Sequence, residues 1–271
     1  MTDVLQVEDA GGVRILTMNR PRARNAVTLE LAQAMADAFA ELDADERLAV
    51  GVIAGAGGAF CAGMDLKGFA RGEIPIIPGR GFAGLVERPP EKPLIAAVEG
   101  YALGGGFEVV LACDLVVASS TAVFGLPEVT RGLTAAAGGL FRLPRRVPYH
   151  IAMELILTGR QLTAGEAARL GLVNRLADNG AARATATELA RTVAANAPLA
   201  VRTSKRVVVE SATWAPADAF ALQWPYVDRV RKSGDAREGA RAFAEKRQPR
   251  WGAAGQESSA GRTGGGIGVD G

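Results

Sequence analysis

Histidine is almost absent from this 271-residue chain, which has only His150. No multi-histidine metal site can be built from one imidazole. A Ser-His-Asp triad would have to use that ring, which stands at an expected helix start after Pro148 with no nucleophile-elbow sequence nearby. Cysteine is nearly as scarce. Cys61 and Cys113 form no C-x-x-C pattern, which excludes a disulfide framework and fits a reducing compartment. The dipeptide Gly-Lys never occurs, so there is no Walker A loop. Long apolar runs are missing too. The most apolar stretch, 94–118, is interrupted by Glu99, Glu108, Asp114 and four glycines, and is no membrane span. The N-terminus MTDVLQVEDA is acidic and lacks an apolar signal core, so a cytoplasmic protein is expected.

What is present is ordinary for a folded chain. Lys and Arg number 31 against 29 Asp and Glu, a net charge of +2 that argues against a nucleic-acid or polybasic membrane partner. With 48% apolar residues, the chain can bury a core without help from metal or disulfide. Short apolar runs at Val13–Met18, 50–54, 94–98 and 115–118 read as strands, the last two buried on both faces. Thr28 is placed to cap a helix with Leu31, Met35, Ala38 and Leu42 on one face, and a helix is expected near 105–113. This alternation predicts an α/β core.

The second half turns helical. A helix follows Pro148, Thr163 and Glu166 form a capping box before Gly171, and 173–176 offers one more strand. Helices are expected over 181–196, 198–212, 216–232 and 235–247. The expected division is a core over 1–200, a helical region over 201–251, and a Gly/Ser-rich disordered tail over 252–271. Residues 70–93 carry five prolines around Ile74, Ile76 and Ile77. They read either as a lid or binding loop, or as a mobile surface connection.

Glycine clusters raise the question of a nucleotide, and the answer is negative. Phe60 stands where a G-x-G-x-x-G fingerprint would need glycine, and Gly104-Gly105-Gly106 is followed by Phe107 and Glu108 with no third glycine in register. Ala62-Gly63 and Gly104 to Gly106 sit instead where strands lead into helices. Unpaired amides there can face a developing negative charge, although tight turns alone would also need such glycines. Glu108 lies in an apolar helix and Glu128 follows Pro127 twenty residues later. Two carboxyls at one water can split acid and base roles. The alternatives are a snorkelling or ion-paired surface acid at 108 and a solvated helix-start acid at 128.

Several stretches together resemble the crotonase family, the enoyl-CoA hydratase/isomerase superfamily. They are MNRPRARNAVT (18–28), GAFCAGMDLK (58–67), KPLIAAVEGYALGGGFEVVLACDLVVAS (92–119), FGLPEV (124–129), AMELILTGRQLTAGEAARLGLVN (152–174) and EGARAFAEKRQP (238–249). The resemblance implies a spiral of ββα repeats with a C-terminal helical region that builds trimers, often paired as hexamers. It implies an acyl-CoA thioester as substrate, with no separate cofactor, no metal, and no nucleic-acid or membrane partner. Ala62 and Gly105 would supply the oxyanion-hole amides, within an A-G-x-D element of Ala62, Gly63, Met64 and Asp65. Glu108 and Glu128 would be the hydratase glutamates, the first deprotonating a water for attack at Cβ and the second protonating Cα. Arg22, Ala23 and Arg24 would line the CoA path, and Phe243 and Lys246 would approach its nucleotide end. For the arginines and Lys246, plain solvated surface positions are the alternative.

The activity implied is reversible hydration of trans-2-enoyl-CoA thioesters. Enoyl-CoA isomerisation, carnitinyl-CoA-type dehydration, or acyl-CoA binding without catalysis are the competing readings. Two departures from the family pattern bear on them. Ala136 replaces a glycine whose amide helps hold the water, and Leu126 occupies a position often polar in hydratases.

Overall fold

All six residues of the strand Val13–Met18 are buried, which requires cover on both faces of its sheet. The computed structural model describes residues 4–252 and shows how that cover arises. Strand β1 (Leu5–Ala10) turns back at Gly11 and Gly12 into β2 (Val13–Met18). Helix α1 (Leu29–Ala44) follows, its first turn capped by the Thr28 hydroxyl accepting from the Leu31 amide, and leads to β3 (Val50–Gly55). Next come the short helix α2 (Leu66–Phe69) and a small hairpin of β4 (Ile76–Ile77) and β5 (Gly81–Phe82). The chain continues through β6 (Leu94–Val98), β7 (Tyr101–Leu103), α3 (Gly105–Ala112), β8 (Leu115–Ser119) and β9 (Val123–Gly125). It then forms α4 (Gly139–Arg142), α5 (Tyr149–Thr158), β10 (Leu162–Thr163), α6 (Ala164–Arg169), β11 (Arg175–Ala177) and α7 (Ala182–Ala194).

Six strands form one sheet in the order β1-β2-β3-β6-β8-β11, parallel throughout except for the antiparallel edge strand β1. Successive side chains of a strand face opposite sides. Val13, Ile15, Val50, Val52, Ile95 and Val117 therefore pack under α7 against Ala186 and Ala190. On the other side Leu16, Met18, Ile53, Ala96 and Val98 join Leu31, Met35, Phe39 and Leu42 of α1 and Phe107 and Val110 of α3. Arg14 is buried in this arrangement and is paired with Asp9 at 2.8 Å and Glu41 at 3.1 Å. A second, smaller sheet in the order β10-β9-β7 stands beside the site-bearing helix α3 in the chain. The capping box expected at Thr163 and Glu166 is present, with both hydrogen bonds formed. The strand expected at 173–176 forms at Arg175–Ala177.

The chain divides into two units after Ala195. A boundary near 200 is what the sequence suggests, but α8 (Pro198–Ser211) is one unbroken helix across that point, and the division falls ahead of it. The second unit is helical, with α9 (Ala219–Arg231) and α10 (Gly234–Ala244) after α8. Within it the Trp214 and Tyr226 rings stack at 6.5 Å, Tyr226 donates to Glu210 at 2.7 Å, and Glu238 is held by Arg241 and Arg247. All three tryptophans, Trp214, Trp224 and Trp251, belong to this unit. Residues 253–271, most of the tail expected to be disordered, lie outside the described residues. Among the described residues no helix is long and apolar enough to cross a membrane, and no group of three or more His, Cys, Asp or Glu could hold a metal ion.

Candidate active site

The first unit encloses a cavity of about 920 Å³, and the two glycine segments and two glutamates singled out from the sequence all contribute to its wall. The extended stretch 61–65 is one side. Cys61 donates to Tyr101 O at 2.9 Å, and Leu103 donates back to Cys61 O at 3.0 Å, tying it to β7. On its opposite edge Val27 donates to Gly63 O at 2.8 Å and Asp65 donates to Val27 O at 3.0 Å. Successive amides of an extended chain point to opposite sides. With Gly63 O and Asp65 N turned toward Val27, the Met64 amide points away from it, and among the described residues it has no acceptor. A Cβ built on Gly63 would stand 3.1 Å from Gly105 N, so the first amide of α3 lies directly alongside. That amide is also unpaired among the described residues, as expected at a helix N-terminus.

Ala62 is a correction. Its N–H donates to Arg24 O at 2.9 Å and is therefore already committed. The loop that holds it is pinned by the buried Asn25, whose Nδ2 donates to Ala56 O at 2.9 Å and Ala59 O at 2.7 Å while its Oδ1 accepts from Arg20 N at 2.9 Å. Ala62 still lines the cavity, but the free donor of this segment is Met64.

Glu108 faces the cavity from α3 and is only 3% exposed, so it is neither a snorkelling nor a surface ion-paired acid. Its Oε1 accepts from the Gly139 amide at 2.9 Å. Burial lifts its pKa to about 7, helped by the negative charge of Glu128 and opposed by the amides of Gly139 and Ala137 and the charge of Arg142. Glu128 sits in a short 3₁₀ turn, Pro127–Arg131, with Oε2 buried and without a hydrogen-bond partner among the described residues. It is not a solvated helix-start acid. Burial raises its pKa as well. Two carboxyls that resist ionisation, one of them carrying an unsatisfied oxygen, thus face the same space as two unpaired amides.

The family described as Enoyl-CoA hydratase/isomerase matches residues 8–254. The chain belongs to that family. Enoyl-CoA hydratase EchA19 of Mycobacterium tuberculosis is 42% identical over 90% of this chain and 94% of its own length. Carnitinyl-CoA dehydratase of Proteus mirabilis is 40% identical over 93% of this chain and 99% of its own. A crystal structure of an enoyl-CoA hydratase from Mycobacterium tuberculosis H37Rv superposes with a TM-score of 0.90 at 54% identity, covering 92% of this chain and 98% of that one. The crotonase-type α/β fold expected from the sequence therefore holds.

Not every residue carried over from the crotonase pattern reaches the cavity. Gly63, Met64, Gly105 and Arg24 line it, and Arg24 lies over the Tyr101 ring at 5.6 Å. Arg22 and Ala23 do not line it and form an exposed-to-half-buried 3₁₀ turn. Asp65 caps α2 through the amides of Lys67 and Gly68 and pairs with Arg20 at 2.9 Å, a bracing position behind the Met64 amide. Phe243, 87% exposed, and Lys246 belong to the second unit.

Segment 70–93 contributes Ile74, Ile76, Phe82 and Val86 to the cavity wall, so it is part of that wall and not a bare surface connection. Phe82 abuts Gly105 so closely that a Cβ there would come within 2.6 Å of its ring. Neither Phe82 nor Arg142 stands in a motif that marks it out in the residue string. Of the departures from the family pattern, Leu126 is buried beside Gly139, and the Ala136 amide donates to Thr134 O at 2.8 Å.

Proposed function

We propose that this protein is a hydro-lyase that adds water reversibly across the double bond of trans-2-enoyl-CoA thioesters. The supporting observation is that Glu108, Glu128 and the unpaired amides of Met64 and Gly105 line one cavity. The thioester oxygen accepts from those two amides, which stabilise the enolate as charge moves onto that oxygen; one such donor is typically worth about 3–4 kcal/mol. Glu108 takes a proton from water as its oxygen bonds to Cβ, and Glu128 delivers a proton to Cα. Because the two carboxyls influence one another, the acid and base roles belong to the pair. Arg24 lines the entrance used by the CoA arm, with Arg22 and Ala23 beside it. No cofactor beyond the substrate's own coenzyme A enters the scheme. The working unit is a trimer or a dimer of trimers, with Phe243 and Lys246 near the nucleotide end, in the cytoplasm.

Crotonyl-CoA and longer enoyl-CoAs test this directly, through bleaching of the conjugated thioester absorbance. No bleaching at any chain length would overturn the reading. A second reading, dehydration of a particular 3-hydroxyacyl-CoA, is favoured by the commitment of the Ala136 amide to Thr134, which removes it as a ligand for water. Mass analysis of products from an acyl-CoA panel separates the two.

A further inference from the structure

The turn that supports Glu108 is itself held from behind. Gly139 donates to Glu108 Oε1 at 2.9 Å, and the Ala137 amide faces the same carboxyl. On the carbonyl side of that turn, Arg142 Nη1 donates to Ala137 O at 3.3 Å while Nη2 donates to Val86 O at 2.6 Å. The guanidinium lies 5.1 Å from the Phe141 ring centroid and directly over Gly138, where a Cβ would come within 2.1 Å of Nη1. Gly138 has φ +108, a conformation open only to glycine at low cost, so the close approach and the backbone geometry demand the same residue. Val86 belongs to the segment that places Phe82 against Gly105. One planar cation thus joins the turn that presents amides to Glu108 with the segment that packs against the oxyanion amide.

We infer that Arg142 is a positioning residue for the reaction, fixing the Glu108 carboxylate by clamping the 137–139 turn to segment 70–93. The inference rests on the hydratase reading for its kinetic consequence, but not for its structural one. A lysine at 142 keeps the charge but lacks the fork that grips two carbonyls at once. The other charged groups around this cavity are Glu128 and Arg131 from the 3₁₀ turn, Glu87 from segment 70–93 and Arg24 from the 20–27 loop. All of them stay in place in the variants below.

The test compares the full-length parent with Arg142→Met and Arg142→Lys. The Glu108 carboxyl is titrated by NMR in protein carrying ¹³C-labelled glutamate, its signal assigned by its loss in Glu108→Gln. Removing a cation and loosening two amide donors both favour the protonated acid, so Arg142→Met is expected to raise the Glu108 midpoint by about 1 pH unit. Its kcat should fall by more than about tenfold with KM little changed. Arg142→Lys should keep the midpoint near the parent's yet lose part of kcat at an unchanged melting temperature. A midpoint and kcat in Arg142→Met equal to the parent's overturn the inference. Should Arg142→Met not fold, full kcat in Arg142→Lys overturns it. If the parent hydrates no enoyl-CoA, the hydratase reading fails while the NMR titration still decides the role of Arg142.

Discussion

Gly104 and Glu128 meet so closely that a methyl group on the glycine would stand 3.1 Å from Oε1 of the acid. Gly104 also carries φ +56 and ψ −130 at the start of α3, a conformation that side chains disfavour. Gly104→Ala should therefore shift the α3 amides and Glu128 together. A loss of about 10- to 100-fold in kcat is expected, measured with crotonyl-CoA. Unchanged kcat would mean that Glu128 is not held by this contact.

Replacing either carboxyl should be far more damaging. Glu108→Gln and Glu128→Gln are each expected to lower kcat by about 10²- to 10⁴-fold, with the double variant losing much less than the product of the two. Stopped-flow and steady-state rates on all four proteins would measure this. Fully multiplicative losses would argue against a shared water.

The pH profile follows from the raised carboxyls. Glu108, titrating at about 7, must be ionised to take a proton, so kcat/KM should rise with pH through a limb near that value. Glu128, also raised by burial, must be protonated, so the rate should fall again as the pair loses its remaining proton. A profile flat from pH 5 to 9 would exclude both roles.

The same burial has a cost in stability. Between an ordinary carboxyl pKa of 4.5 and about 7, the folded protein binds a proton at Glu108 that the unfolded chain releases. Stability from this group is complete below that window and is lost as pH rises through it, by about 3 kcal/mol. Glu108→Gln should thus melt higher than the parent at pH 8, and that advantage should disappear by pH 5. Thermal melts at the two pH values check it.

Ala136 offers the opposite kind of change. Its amide is turned to Thr134 O, and the residue lines the cavity that holds the two carboxyls. Ala136→Gly gives the 134–136 turn the backbone freedom to release that amide to water, and one added donor is worth about tenfold in kcat for hydration. A decrease would show that the alanine suits this enzyme's own substrate.

How much of this was legible without coordinates differs from element to element. Leu94–Val98 announces itself as an unbroken apolar run buried on both faces, and Val13–Met18 by its apolar residues after the Gly11-Gly12 turn, although Arg14 and Thr17 interrupt it. β1 does not, since its exposed Gln6, Glu8 and Asp9 look like an acidic leader until their edge pairing to β2 is seen. The sheet of β7, β9 and β10 has strands of two or three residues, too short for any periodicity. The two glutamates were readable from their family setting. The unpaired amide of segment 61–65 lies two positions beyond the expected Ala62, because amide direction depends on pairing with Val27 and Arg24, which lie far away in sequence. Arg142 was hidden for a related reason: its partners are carbonyls, and main-chain acceptors leave no mark in the residue string.

The placement of every indole after residue 195 makes the chain its own two-channel reporter. Intrinsic fluorescence excited at the indole band follows the helices Pro198–Ser211 and onward, whereas far-ultraviolet dichroism registers the whole backbone. Urea curves from the two signals that separate would reveal that the halves melt independently, and a tryptophan introduced for Phe82 would give the cavity a dye of its own.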